Sequence, residues 1–281
     1  MLATTPGRRF PEENCLLASL PDDEYARLAP ALEHVWLAPR QILGLPDESI
    51  SRVYFPRTAV ASLLVPMQNG SAVEGATVGK EGMLGLEGFL GGATSPVEVV
   101  VHVAGTAGRM DAGAFRDQLH HSPAIHGMMQ HYTLALLHQI TRTAGCNRVH
   151  SVRERVARVL LMIYDGSGQP TFPLTHELLA LMLGVRRASV TLAAMSLQMA
   201  GFIQYRRGRM SILDLDGLKA SACVDYRLSR EAHDRLRNSP RIQPAYQPVV
   251  HLNHAAGPAS RHVQPAPSAQ PRQQYRFSSF G

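Results

Sequence analysis

Hydrophobic and polar positions divide the chain into regimes of different period. From about residue 14 to 115, short apolar runs are punctuated by glycine and proline, among them "VYFPRTAVASLLV", "AVEGATVG", "GMLGLEGFLGG" and "VEVVVHVAG". Such spacing predicts short strands in a sandwich or small barrel. Ahead of them Leu16, Leu17, Leu20, Tyr25, Leu28 and Leu32 fall at helical spacing, so a small helical lead-in is expected, with Trp36 opening the strand region.

From Ser122 the period changes to about 3.5, the step of a coiled-coil seam. Ile125, Met129, Tyr132, Leu136, Gln139 and Thr143 follow alternating four- and three-residue steps. Gln139 and Thr143 make the seam imperfect, while Leu134, Leu137 and Ile140 widen the apolar face beyond one stripe. A helix buried on one side against its own β-domain and on the other against a partner has this pattern, as does a plain buried helix. A second helix is expected over 149–165, stopped by "DGSGQP", with "DGSGQPTFP" read as a loop between helices.

Residues 174–201 split into two helical patterns at Gly184. Thr175 is a favourable N-cap, and Glu177 suits the positive end of the first helix. Leu179, Leu183, Val185 and Val190 are apolar where two helices joined by a tight turn must meet, and Ala180 is small where they cross. This is helix-turn-helix spacing. The second helix, about 186–200, opens with Arg186 and Arg187, although cations at a helix N-terminus cost about 0.3–1 kcal/mol. An external anion would offset them. Its N-terminal half presents Arg187, Ala188, Ser189, Thr191 and Leu192, while Val190, Ala193 and Leu197 face inward. In a helix-turn-helix those N-terminal residues read the DNA major groove. "GFIQYRRGRMSILDLDGL" then predicts a hairpin with Gly208 in its turn, whose Arg206, Arg207 and Arg209 would grip phosphates. Thr175 and His176 complete the expected DNA-facing set.

Charge sharpens this division. Residues 1–146 hold 10 Lys+Arg against 14 Asp+Glu, residues 147–238 hold 14 against 8, and the stretch from 239 adds four arginines. A basic balance confined to one region is the footprint of a polyanion-binding module. At 281 residues and 45% hydrophobic, the chain can fill two ordinary domain cores. No apolar run approaches the roughly 20 residues of a bilayer crossing, and "MLATTPGRRFPEEN" has no apolar signal region. A cytoplasmic protein with no membrane association is expected. Residues 239–281, rich in Pro, Gln, Ser and Ala, are expected to be a disordered tail.

The residues also carry a resemblance. "VYFP" and "VGKEGMLG" in the strand region, "CNRVHSVRERVARVLLM", and above all "LTHELLALMLGVRRASVTLAAMSLQMAGFIQYRRGRMSILD" resemble the Crp/Fnr superfamily of transcription regulators, over roughly residues 12–227. The resemblance implies an α+β fold: an N-terminal antiparallel β-roll (a double-stranded β-helix) over 12–121, a long dimerisation helix over 122–146, and a C-terminal winged helix-turn-helix over 147–228. It implies a homodimer on a two-fold-symmetric operator in double-stranded DNA, with RNA polymerase as a candidate partner. Ile125, Met129, Tyr132, Leu136 and Ile140 are the expected dimer interface. Arg187 matches a base-contacting arginine and Ser189 a hydroxyl beside the DNA backbone, whereas Ala188 and Leu192 replace a glutamate and an arginine of the cyclic-nucleotide activator. The operator should differ accordingly.

The same resemblance bears on cofactors, and none is expected. The activator holds its nucleotide phosphate with an Arg-Ser pair after a Gly-Glu turn. Here Met83 replaces the glutamate, no arginine occurs between Lys80 and Arg109, and Thr94-Ser95-Pro96 stands at the phosphate position. Cyclic-nucleotide binding is therefore not expected. An iron–sulfur cluster needs clustered thiolates, and Cys15 stands alone near the N-terminus. Cys146 and Cys223 are read with it as reduced, small buried side chains. His120, His121, His126, His131 and His138 include no i,i+4 pair, so neither metal nor haem is expected. No P-loop, dinucleotide fingerprint, HExxH or nucleophile elbow occurs, so an enzyme is not expected. A helix-turn-helix that contacts protein rather than DNA is the competing reading, and it predicts no salt-dependent DNA binding.

Overall fold

The computed structural model describes residues 14–68 and 72–238. The expected disordered tail, 239–281, lies outside the described residues. Two short helices, α1 (Cys15–Ser19) and α2 (Asp22–Leu28), lead into strands β1 (Glu33–Leu37), β2 (Ile42–Gly44), β3 (Arg52–Pro56), β4 (Val60–Pro66), β5 (Ala72–Val78), β6 (Glu98–Val103) and β7 (Gly105–Asp111). Helices α3 (Ala112–His121), α4 (Pro123–Val149) and α5 (Val152–Ser167) follow. Then come β8 (Thr171–Pro173), α6 (His176–Leu183), α7 (Arg187–Met199), β9 (Ile203–Arg206), β10 (Arg209–Ile212), α8 (Leu215–Ser221) and α9 (Val224–Asn238).

All strand pairs are antiparallel, in sheets of order β2-β6-β4-β5, β1-β7-β3 and β8-β10-β9. The first two sheets bury Leu37, Ala61, Val78, Leu84, Val101 and Ala107 as one cluster. Asn14 fastens the lead-in to them: its Oδ1 accepts from Leu16 N at 3.0 Å, capping α1, and its Nδ2 donates to Pro56 O (2.9 Å) and Gly82 O (2.7 Å). The chain is α+β, with an antiparallel β-roll, a long helix and a C-terminal winged helix-turn-helix.

Ser122 starts α4 by accepting from Ile125 N at 3.0 Å. The helix then runs 27 residues, about 40 Å at 1.5 Å per residue. Its seam residues turn out to face the chain's own β-roll. Ile125 (0% exposed), Met129 (0%), Tyr132 (1%) and Leu136 (6%) share a core with Phe55, Met83 and Phe115. Tyr132 Oη donates to Met83 O at 2.8 Å. The polar seam positions follow suit, with Gln139 Nε2 donating to Thr77 O at 2.8 Å and Thr143 Oγ1 accepting from Arg158 Nη1 at 3.1 Å. Four of the five expected dimer residues therefore have no surface left for a partner, and only Ile140 (40%) is exposed. The open face of α4 is a second stripe, Gln130, Leu134, Leu137, Thr141 and Ala144, also on four- and three-residue steps. On it Leu134 and Leu137 are 52% and 56% exposed.

Three further departures concern boundaries. Helix α5 begins at Val152 rather than 149, because Ser151 and Glu154 form a reciprocal capping box there, and it runs through Ser167 to Gly168. The stretch read as a loop contains β8, which pairs with β10 as the third strand of the wing sheet. Helix α9 was not anticipated, and it packs along α4.

The winged helix-turn-helix shares its core with the β-roll: Val60 and Val103 join the cluster of Leu160, Phe172, Leu179, Val190 and Leu197. The two parts also meet backbone to backbone, where Lys80 N donates to Gly166 O at 3.0 Å.

Candidate nucleic-acid interface

Thr175 caps α6, its Oγ1 accepting from Leu178 N at 3.2 Å. Gly184 ends it in the left-handed region (φ 61°), and Val185 N reaches back to Ala180 O at 3.0 Å, the closure that defines a Schellman turn. The turn bends α7 from α6 by 110°, within the helix-turn-helix range. Leu179, Ala180, Leu183, Val190, Ala193 and Leu197 are buried where the helices meet. The Arg155 guanidinium donates to Leu183 O, a last-turn carbonyl of α6.

Arg186 occupies the N-cap of α7 without a capping hydrogen bond from its side chain. The first amides of α7 therefore keep their capacity to bind an anion. Arg186, Arg187 and Ala188 are exposed, and Ser189 and Thr191 half-buried. Arg187 Nε sits 2.8 Å from Glu177 Oε1, with both side chains mostly exposed. Behind Ala188, an apolar stripe continues through Leu192 (69% exposed), Met195 (52%) and Met199 (86%). The sequence reading stopped at Leu192, although its four- and three-residue steps extend to Met199.

In the wing, Arg206 pairs with Arg209 across β9 and β10, and the turn residues Arg207 (φ 50°) and Gly208 (φ 75°) are both at positive φ. That is the type I′ pattern of a tight two-residue hairpin. Leu174 N donates to Gly208 O at 2.9 Å, and Tyr205 N donates to Gln198 Oε1 at 2.8 Å. The wing is thereby fixed to α7 and to the segment leading into α6. Arg206, Arg207 and Arg209 are exposed, and among the described residues none of them forms an ion pair.

His176 departs from expectation. It is 8% exposed and stacks on Tyr205, with ring centroids 4.1 Å apart and an interplanar angle of 21°. Its Nδ1 lies 3.0 Å from Thr191 Oγ1, which itself donates to Arg187 O at 3.1 Å. Burial first, and then the Arg187 guanidinium, holds the imidazole below the ordinary histidine value. His176 therefore links helix, recognition helix and wing rather than facing DNA. Thr175 and Thr191 also make hydrogen bonds within the domain, while Arg186, Arg187, Ala188, Leu192 and the wing arginines are exposed and Ser189 is half-buried.

The β-roll contains a cavity of about 100 Å³ lined by Glu48, Arg52, Glu87 and Ser95. Ligand pockets ordinarily span about 300–1,000 Å³. Ser95 Oγ donates to Glu87 Oε1 at 2.6 Å, and Arg52 is paired with Asp111 at 2.5 Å. A buried phosphate requires a charge-assisted donor, and the one guanidinium lining this cavity, Arg52, already faces Asp111. A larger cavity, about 440 Å³, lies outside the β-roll strands and is lined by Lys80, Glu81, His131, Tyr164, Asp165 and Arg230. Burial raises the Glu81 and Asp165 carboxyls within it.

The sequence model of the Crp-like helix-turn-helix domain matches residues 154–221. A comparison with curated proteins finds no match. Among solved structures, the chain is similar to FixK2 from Bradyrhizobium japonicum, with 14% identity over 69% of this chain and 98% of that one and a TM-score of 0.59. It is similar to a putative regulator of the Crp/Fnr family from Eubacterium rectale, with 16% identity over 75% and 97% and a TM-score of 0.57. A third is the c-di-GMP-responsive regulator CLP from Xanthomonas campestris, with 14% identity over 68% and 99% and a TM-score of 0.56. Residues 154–221 are thus a Crp-like helix-turn-helix domain, carried on the fold of the Crp/Fnr-family transcription regulators.

Proposed function

We propose that the chain is a homodimeric transcription regulator that binds a two-fold-symmetric operator, with its β-roll biasing the placement of the two recognition helices. The observation that carries this reading is the exposed cationic surface formed by Arg186 and Arg187 at the start of α7 and by Arg206, Arg207 and Arg209 on the wing. Half-sites one helical turn apart, roughly 34 Å, suit such a dimer. The dimer contact uses the open stripe of α4 centred on Leu137.

Arg187 is the base reader and Arg186 a phosphate contact beside the α7 amides. Ala188 and Leu192 offer only apolar surface, which suits thymine methyl groups. Arg187→Ala should therefore lower operator affinity by about 1–3 kcal/mol and relax preference at a single base pair. The check is binding to an operator recovered by pull-down of genomic fragments and to single-base variants of it. An equal loss on every sequence would make Arg187 a phosphate anchor.

The wing arginines should act on phosphates alone. Neutralising Arg207 should flatten the slope of log affinity against log salt by about one unit, with base preferences unchanged. Gel-shift titrations at several salt concentrations measure this. An unaltered slope counts against the wing, and an absence of salt-dependent DNA binding in the wild type counts against the whole reading and for a protein-contact module.

A further inference from the structure

Two cysteines 77 positions apart in the chain come together, with Cys146 Sγ 3.3 Å from Cys223 Sγ. His150 and Asp225 converge on the same point. His150 Nδ1 lies 3.2 Å from Asp225 Oδ2, and one donor atom from each of the four residues lies within 4.8 Å of all the others. Cys146 and Cys223 are buried, at 0% and 4% exposure, as is Asp225 at 6%. Both thiols are free and buried, as expected, but they lie side by side. Cys146 and His150 are four positions apart across the end of α4, where His150 is the C-cap, and Cys223 and Asp225 flank the start of α9.

We infer that Cys146, His150, Cys223 and Asp225 form a binding site for a thiolate-preferring divalent cation of the zinc class, which pins the start of α9 to the joint between α4 and α5. Two sulfurs, one imidazole nitrogen and one carboxylate oxygen make a donor set that zinc takes in tetrahedral sites, with Zn–S about 2.3 Å and Zn–N or Zn–O about 2.0–2.2 Å. Those bond lengths require neighbouring sulfurs about 3.8 Å apart. The observed sulfur pair needs to open by only about half an ångström, whereas a disulfide, at about 2.05 Å, would need it to close by more than twice that and would leave the histidine and carboxylate unused.

The surroundings supply the balance of charge. Two thiolates and a carboxylate around a dication leave one negative charge. Arg142 Nη1 lies 3.5 Å from Asp225 Oδ1, the oxygen turned from His150, and Arg158 is held nearby through Thr143 Oγ1 at 3.1 Å. An outer partner that orients a ligating carboxylate is the usual support of a metal site. The four residues come from the end of α4 and the start of α9, beside the joint between α4 and α5, so a bound cation ties that joint to α9.

The test uses the full chain, reduced, stripped with a chelator and titrated with Co²⁺. The expected result is one equivalent bound, with a thiolate-to-cobalt charge-transfer band and the strong visible bands of a tetrahedral ion, both removed by equimolar Zn²⁺. Cys223→Ser, which leaves Cys146 as the single thiolate, should weaken the charge-transfer band. Because Cys146 is fully buried and a change there endangers the fold, His150→Ala at the partly exposed rim is the second variant. It should weaken binding by about tenfold or more. Zn²⁺ should also raise the thermal midpoint of the wild type by more than that of His150→Ala. Absence of the charge-transfer band in the wild type, a band of wild-type strength in Cys223→Ser, or an unchanged wild-type midpoint on Zn²⁺ loading would overturn the proposal. So would a Cys146–Cys223 disulfide in protein whose thiols were blocked at lysis.

Discussion

Leu137→Asp should turn the proposed dimer into monomers and abolish operator binding at protein concentrations that saturate the wild type. Leu137 lies at the centre of the open stripe on α4, 56% exposed, between Leu134 and Thr141 and flanked by Ile140. Within one protomer an aspartate there meets water and leaves the fold intact. In a symmetric seam it is buried without a partner, at a cost of about 3–5 kcal/mol per uncompensated charge. Two-fold symmetry places two such charges in each dimer, so its dissociation constant should rise by about 10⁴ or more. Sedimentation or light scattering reads the mass, and far-UV circular dichroism confirms that α4 persists. Met129→Ala separates the two stripes. It removes a fully buried side chain from the protomer's own core and should cost about 2–5 kcal/mol of stability. A Leu137→Asp protein that stays dimeric would return the interface to another surface.

Gly79→Ala should cost about 2–4 kcal/mol and lower the thermal midpoint by about 5–15 °C. A Cβ at this position would fall inside the envelope of the Gly166 backbone, on the far side of the contact between the β-roll and α5. Backbone faces backbone, so no side chain can swing aside. The turn at Gly79–Lys80 must lift, and the 3.0 Å bond from Lys80 N to Gly166 O is lost with it. Gly88→Ala is the control, since a Cβ added there meets nothing within 4 Å. Equal midpoints for the two variants would mean that the contact relaxes freely.

The helix-turn-helix was legible because its determinants are local: a capping threonine, a glycine at the turn and apolar positions that repeat every three or four residues. The seam on α4 was legible only in part. A period of about 3.5 shows which residues share a stripe, but α4 carries two stripes, and periodicity does not say which one meets a partner. The buried stripe contains Gln139 and Thr143, whose polar groups are satisfied by Thr77 O and by the Arg158 guanidinium. Those bonds are long-range and leave no local signal. Helix α9 escaped for a related reason. Its buried positions include Asp225 and Ser229 beside Tyr226, so few apolar residues mark its inner face. His176 was misplaced because the ring that covers it, Tyr205, arrives from the wing. The cysteine pair depends on tertiary folding, and only the four-residue spacing of Cys146 and His150 is a local trace of it.

Rolling α4 about its own axis moves both of its stripes at once. Side chains stand about 5 Å from a helix axis, so a roll of about 10° carries each by roughly 1 Å. One stripe is held in the β-roll, with Tyr132 bonded to Met83 O, and the other faces outward at Leu137. The helix therefore works as a drive shaft. Repacking around Met83 appears as torque at the outer face, in the same direction and without a relay of intermediate contacts, and a twist imposed from outside returns to the β-roll with equal sign.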